Sequence, residues 1–275
     1  MKYRALGIYR EPEFSPGKVE ADAAILDAVL AELEREGLAA TAIDAASFGA
    51  GTPARADLIL AMCQSEPALK RLAEEERRSA IAINPALSIR NCYRDLLAAG
   101  LQRSGVPTPA GGLVATTEGF DSGKLAGVDL NAGVFVKRGD LHALGSDDVR
   151  RAANRAEAEK ILSDFARRGI RFAYIQQEAA GRVVKFYGVS GNAYFAALPE
   201  GGEVVEATIR ALSAAASAAA SALGLEAWGG DAVLNADRFA IIDFNDWPSF
   251  GRVREAAARA IARRAIALVN RKAGT

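Results

Sequence analysis

Three oxygen-bearing side chains near the end of the chain are spaced to hold a hard cation. Asp243 and Asn245 stand two residues apart in the run Ile241-Ile242-Asp243-Phe244-Asn245-Asp246, so their side chains leave the same face of a strand. Gly229-Gly230 reads as a turn whose next residue, Asp231, leads into a neighbouring strand, Ala232-Val233-Leu234. Two carboxylates and an amide oxygen form a donor set that Mg²⁺ uses, usually completing its shell with water and nucleotide phosphates. The same spacing also describes a β-hairpin with an Asp-Asn turn at its end. Trp247-Pro248-Ser249-Phe250-Gly251, directly after, is a distinctive turn sequence.

Other chemistries are excluded by composition. The single histidine, His142, rules out a multi-histidine zinc site. Cys63 and Cys92 are far apart and form no CxxC, which argues against a disulfide framework and against a thiolate metal site. With one histidine in the chain a Cys-His nucleophile is not expected, and Cys92 reads as a small packed hydrophobe. No GxGxxG follows the first strand and no GxSxG elbow occurs. Gly119-Phe120-Asp121-Ser122-Gly123-Lys124 is one residue short of a phosphate-binding loop, and Leu125 stands where Ser or Thr would meet Mg²⁺, so it reads as surface loop. Lys+Arg and Asp+Glu are equal at 34 each, which gives no basis for non-specific nucleic-acid binding. No run is long and apolar enough to span a membrane, and the first strand begins at once, so no membrane partner and a cytoplasmic location are expected.

The elements that must position these residues follow from periodicity. Over 1–105, strands at 3–9, 39–43, 58–62 and 80–83 alternate with helices at 19–36 and 67–78, which implies a parallel sheet with ligands at its carboxyl edge. A helix is predicted over 91–104, stopped by Gly105-Val106-Pro107-Thr108-Pro109. Strands at 111–116 and 133–137 and a helix at 155–168 make 106–178 a small α+β subdomain. Residues 172–178, 182–189 and 192–197 are predicted as an antiparallel meander. The remainder, 179–275, adds an Ala-rich helix at 204–223, the two acidic strands and a terminal helix at 253–271. With 275 residues, the chain suffices for one large domain or two to three small subdomains sharing a core. A homodimer is compatible with this size.

The order of segments carries a resemblance. Asn84-Pro85, then Asn91-Cys92-Tyr93-Arg94-Asp95, Val134-Phe135-Val136-Lys137, Tyr174-Ile175-Gln176-Gln177-Glu178, Val183 to Val189, and finally Gly230-Asp231 and Asp243-Phe244-Asn245 follow one another across nearly the whole chain. This set resembles the ATP-grasp superfamily, in particular glutamylase-type carboxylate-amine ligases and the inositol trisphosphate kinases of that fold. The resemblance implies an α/β and α+β fold: an N-terminal parallel-sheet domain, a central lid subdomain, and a C-terminal antiparallel-sheet domain, with ATP between the last two. It implies ATP and Mg²⁺ as cofactors. Asp231, Asp243 and Asn245 match the metal ligands and Lys137 the strand lysine that contacts phosphate. Gln176, Gln177 and Glu178 match the hinge that meets adenine and ribose, with Glu178 on the ribose hydroxyls. Lys185, a further residue expected to contact the nucleotide, falls where the ligases carry Arg and the inositol kinases Lys.

The departures bear on activity. Arg94 stands near the position of a helix lysine that reaches the α-phosphate, and a guanidinium does not copy an ammonium. The phosphate-covering loop reads Arg138 to Ser146, with Arg138 and His142 as added cations for a substrate or the transferring phosphoryl group. The strand over 192–198 lacks the arginine with which ligases grip the acyl-phosphate. Arg210, Arg252 and Arg254 remain candidates for substrate anions, with a solvated helix face as the simpler account of Arg210. The resemblance implies an ATP- and Mg²⁺-dependent carboxylate-amine ligase that forms an acyl-phosphate from a small-molecule or peptide substrate. Its alternatives are a polyol or inositol phosphate-like kinase and a non-catalytic nucleotide-binding protein.

Overall fold

The structure, a computed structural model, describes residues 3–52, 55–120, 123–141, 143–201 and 204–274. The first segment alternates as its apolar periodicity predicts: β1 Arg4–Tyr9, α1 Val19–Arg35, β2 Ala39–Asp44, α2 Ala45–Gly49, β3 Leu58–Ala61, α3 Glu66–Arg77, β4 Ile81–Ile83, α4 Ala86–Asn91 and α5 Arg94–Arg103. The central segment holds β5 Gly111–Ala115, β6 Val134–Arg138, β7 Val149–Ala152, α6 Arg155–Arg167 and β8 Phe172–Gln177. The last comprises β9 Arg182–Val189, β10 Tyr194–Pro199, α7 Glu206–Leu223, β11 Ala227–Asn235, β12 Arg238–Asp246 and α8 Arg254–Ala273. These form three four-stranded sheets: a parallel one ordered β2-β1-β3-β4, and two antiparallel ones ordered β5-β8-β6-β7 and β10-β9-β11-β12. The expected order of a parallel sheet, a small central sheet and a final antiparallel sheet is thus present. No helix among the described residues is long and apolar enough to cross a membrane.

Local departures from the expected elements have physical reasons. The helix predicted over 91–104 is present as α5 but starts three residues later, after a separate short helix, α4. Asn91 ends α4, and Tyr93 is extended at the N-cap of α5, which makes Arg94 the first helical residue. Phe172–Gln177 is no part of a meander with β9, because it pairs with β5 and β6 in the central sheet. Gly229-Gly230-Asp231 is not a turn but the middle of the long strand β11. The glycines are there because side chains have no room: a Cβ on Gly230 would lie 2.2 Å from the Asp243 carbonyl oxygen and 2.5 Å from the Phe186 ring. The hairpin turn between β11 and β12 falls instead at Ala236-Asp237.

Four buried clusters hold the layers. α1 and α8 cover one face of the parallel sheet, where Ile25, Leu26, Val29 and Leu33 meet Ala257, Ile261 and Ala265 together with Trp247 and Phe250. The other face packs Phe48, Leu69, Leu72 and Ile89. On the last sheet the small residues Ala216, Ala219 and Ala220 of α7 lie in one cluster with Phe186, Trp228, Phe244 and, from α5, Leu97 and Leu101. The central sheet packs on α6. Buried Asn84 joins the first and last sheets: its amide nitrogen donates to the Ala227 carbonyl at 2.7 Å, and its oxygen accepts from the amides of Glu226 and Ala227.

One irregularity sets the geometry of the last hairpin. Asp231 pairs with Asp243 but the next residue, Ala232, pairs with Ile241, so Ile242 is an extra residue in β12. Such a bulge shifts the alternation of faces by one. Ile241 lies in the core on one side of it and Phe244 on the other, while Asp243 and Asn245 turn the opposite way. Because Gly230 is wedged beside this bulge, Gly230→Ala is expected to cost about 1–3 kcal/mol by overpacking, read as a lower urea midpoint at unchanged m.

Candidate functional site

The bulge and the sheet register build a charged face. Lys185 of β9 stands opposite Asp231 of β11, and Asp231 opposite Asp243 of β12. One step along, Tyr187, Gly229 and Asn245 form a second row on the same face. Lys185, Asp231 and Asp243 of the first row and Tyr187 and Asn245 of the second line a cleft of about 270 Å³ between the last sheet and the carboxyl edge of the parallel sheet. Lys185 Nζ is 3.1 Å from Asp231 Oδ1. On the other side, Arg94 reaches to 3.6 Å from Asp243 Oδ1 and donates at 3.0 Å to the Arg138 carbonyl. Burial pushes the Asp231 carboxyl upward; Lys185 opposes this and Asp243 adds to it. Two carboxylates side by side resist ionising together, which a cation between them relieves. Among the described residues no three His, Cys, Asp or Glu side chains converge, so a metal here needs the Asn245 amide oxygen. Two carboxylates plus an amide is a donor set that fits Mg²⁺.

Behind this face lies a slot between the central and last sheets, sharing Arg94 and Asp243 with the cleft and lined by Leu97, Leu101, Lys137, Tyr174, Gln176 and Ile242. Lys137 and Tyr174 are register partners on β6 and β8, so both leave the central sheet on its slot side. Lys137 is only 6% exposed. Its Nζ donates at 2.9 Å to the carbonyl of Ile242, the bulged residue, and Gln176 Nε2 approaches the same oxygen at 3.4 Å. Burial pushes the Lys137 ammonium down from 10.5 to about 8, against the pull of Asp243.

The other expected site residues lie elsewhere. Gln177 bonds the Gly133 carbonyl and the Asp129 amide. Glu178 forms a two-pronged pair with Arg151, both contacts at 2.7 Å, and lines neither cavity. The Arg138 guanidinium is held by Asp140 at 2.6 and 3.0 Å and lies 3.6 Å from Asp148, so only its backbone carbonyl touches the site, through Arg94. His142 lies outside the described residues. Arg210 pairs with Glu206 on the exposed face of α7, and Arg252 and Arg254 do not line the cleft. Cys63 and Cys92 are fully buried with thiols pushed upward by burial, so neither is a nucleophile.

The first sheet supplies a wall that sequence reasoning left unassigned. Arg10 follows β1 and Gln64 follows β3, and both line the cleft with Phe14, Lys18, Asp22 and Asp246. Arg10 donates to the carbonyls of Met62 and Trp247 at 3.1 and 2.9 Å. Gln64 Nε2 donates to Asp246 at 2.9 and 3.2 Å. The available signal was position: both residues sit at the carboxyl edge of parallel strands, where such sheets bind ligands.

No family model and no curated protein matches the sequence. Solved structures do match, over nearly the whole chain. A D-alanine–D-alanine ligase from Bacillus anthracis complexed with ATP superposes with a TM-score of 0.74 at 11% identity, covering 99% of this chain and 99% of its own. The D-alanine–D-alanine ligase from Coxiella burnetii gives 0.71 at 12% identity, covering 99% and 98%. D-cycloserine synthetase DcsG gives 0.65 at 17% identity, covering 94% and 99%. The fold is that of the ATP-grasp superfamily.

The Lys137 titration is directly testable. Its folded value of about 8 lies below the unfolded 10.5, so the unfolded chain binds the proton more tightly between them. Its contribution to stability is therefore full above 10.5 and is lost as pH falls through about 8. At pH 7, Lys137→Met should raise the stability of the free protein by up to roughly 3 kcal/mol, less the bond lost at Ile242. Carbon-13 lysine NMR should place the midpoint near 8.

Proposed function

We propose that this protein is an ATP- and Mg²⁺-dependent carboxylate-amine ligase that acts on a small-molecule or peptide substrate through an acyl-phosphate. The observation that carries the reading is the alignment of Lys185, Asp231 and Asp243 across three strands, with Arg94 and buried Lys137 at the inner end. This puts cations and hard oxygen donors around one space, as a phosphoryl group passing to a carboxylate requires. The names of the similar structures, D-alanine–D-alanine ligase and D-cycloserine synthetase, favour ligation.

In this reading Tyr174, Gln176 and the Ile242 carbonyl frame the adenine, and Lys137 and Arg94 hold phosphate oxygens. The slot, about 20 Å³, admits a base only after Lys137 and Gln176 release the Ile242 carbonyl, and the nucleotide then supplies new partners for both. Asp231, Asp243 and Asn245 would hold Mg²⁺, which when bound would neutralise phosphate charge. The wall of Arg10, Lys18 and Gln64 faces the space left for the acceptor. No protein nucleophile is required, and catalysis rests on positioning and charge. Lys185, where related ligases carry Arg, is the observation that favours the alternative, a small-molecule kinase on this scaffold.

The test is ADP release from pooled metabolites, with the product identified by mass. An amide or peptide product sustains the ligase reading; a phosphorylated alcohol replaces it with the kinase reading; no nucleotide binding by calorimetry removes both. Asp231→Asn combined with Asp243→Asn is expected to lower turnover by at least about a thousandfold while circular dichroism stays unchanged.

A further inference from the structure

Lys185 occupies a position that a phosphate-binding lysine alone does not explain. The charges across the cleft face run cation, carboxylate, carboxylate, cation: Lys185, Asp231, Asp243, Arg94. The face is neutral as it stands. A bare divalent cation entering between the two carboxylates would meet a positive charge on either side, at distances where Coulomb interactions near a protein surface remain strong. The two cations differ in freedom. Arg94 is buried and anchored to the Arg138 carbonyl. Lys185 is half-exposed, on a flexible stem, and bonds Asp231 at 3.1 Å.

We propose that Lys185 is a placeholder for the metal: its ammonium occupies Asp231 in the free protein and leaves for a nucleotide phosphate when a divalent cation takes its place. The inference rests on the metal assignment made above. The exchange keeps each charge paired. The cation replaces the ammonium on Asp231, and the displaced ammonium pairs with an anion arriving in the same cleft. Cation and nucleotide are therefore admitted together, and neither binds well alone. Arg94 stays on Asp243 throughout and keeps that carboxylate oriented.

The test uses the whole protein and Mn²⁺ as probe, followed by electron paramagnetic resonance and calorimetry without nucleotide. Lys185→Met removes the charge while keeping the length of the stem. It is expected to bind Mn²⁺ alone about tenfold more tightly than the unaltered protein, and ADP with Mn²⁺ more weakly. The gain should vanish in Lys185→Met combined with Asp231→Asn. Lys18→Met is the control for a general field effect, since Lys18 lines the cleft and its charge reaches Asp231 without pairing with it. It should move Mn²⁺ affinity by less than about twofold. Equal Mn²⁺ affinity in Lys185→Met and the unaltered protein, or an equal gain in Lys18→Met, overturns the placeholder role while leaving the metal site standing. Binding of Mn²⁺ with ADP that is indifferent to Asp231→Asn overturns the metal assignment and this inference together.

Discussion

A single extra residue in one strand decides which way the acidic face points. If β12 alternated without interruption, Asp243 and Asn245 would share a face with Phe239 and Ile241 and be driven into the apolar layer under α7. The bulge at Ile242 shifts the alternation by one, so Ile241 and Phe244 both stay in the core while the two polar side chains face the cleft. It also frees main-chain groups from the ladder. The Ile241 amide turns to Pro107, and the Ile242 carbonyl turns to Lys137 and Gln176. The same irregularity thus orients the candidate metal ligands and ties the central sheet to the last one.

That tie places a charge where burial disfavours it. An ammonium that is nearly inaccessible is held by one carbonyl oxygen and the field of nearby carboxylates. A methionine here would bury no charge, so the lysine stands at some expense of stability. Sites that must recognise an anion are where such a trade is expected. The surroundings are tied across elements: Arg94 begins a helix, Asn84 joins the end of β4 to β11, and the Trp247 indole donates at 2.8 Å to the Ile83 carbonyl.

What was legible in the chain depended on how local the cause was. The parallel sheet could be read because each strand and helix declares its own period, as Ile25, Leu26, Val29 and Leu33 do for α1. Asp231, Asp243, Asn245, Lys137, Arg94, Gln176 and Lys185 could be picked out by residue type and order, and the structure brings them around two adjoining cavities. Gln177 and Glu178 fit the same order, yet their partners are Gly133 and Arg151, on neighbouring segments that a linear pattern does not reveal; Arg138 is held by Asp140, two residues along in its own loop. The bulge left no mark either, since Ile241-Ile242 reads as uninterrupted strand. The pair Gly229-Gly230 looked like a turn because the usual reason for two glycines is backbone freedom. Here the reason is lack of space, set by Phe186 and Asp243 from adjacent strands.

The packing of α8 has a consequence for synthesis. This helix follows β12, far along the chain from β1, yet it covers the face of the first sheet that α1 leaves incomplete, meeting Val29 and Leu33 through Ile261 and Ala265. A nascent chain that has emerged only as far as β12 therefore carries a finished sheet order with an unfinished surface. The first sheet must wait for α8 to leave the ribosome before its apolar side closes, although domains otherwise tend to fold from the N-terminal end as they appear. Premature termination anywhere before α8 would leave that side open, and such fragments should be held by chaperones or degraded instead of persisting as a stable partial protein.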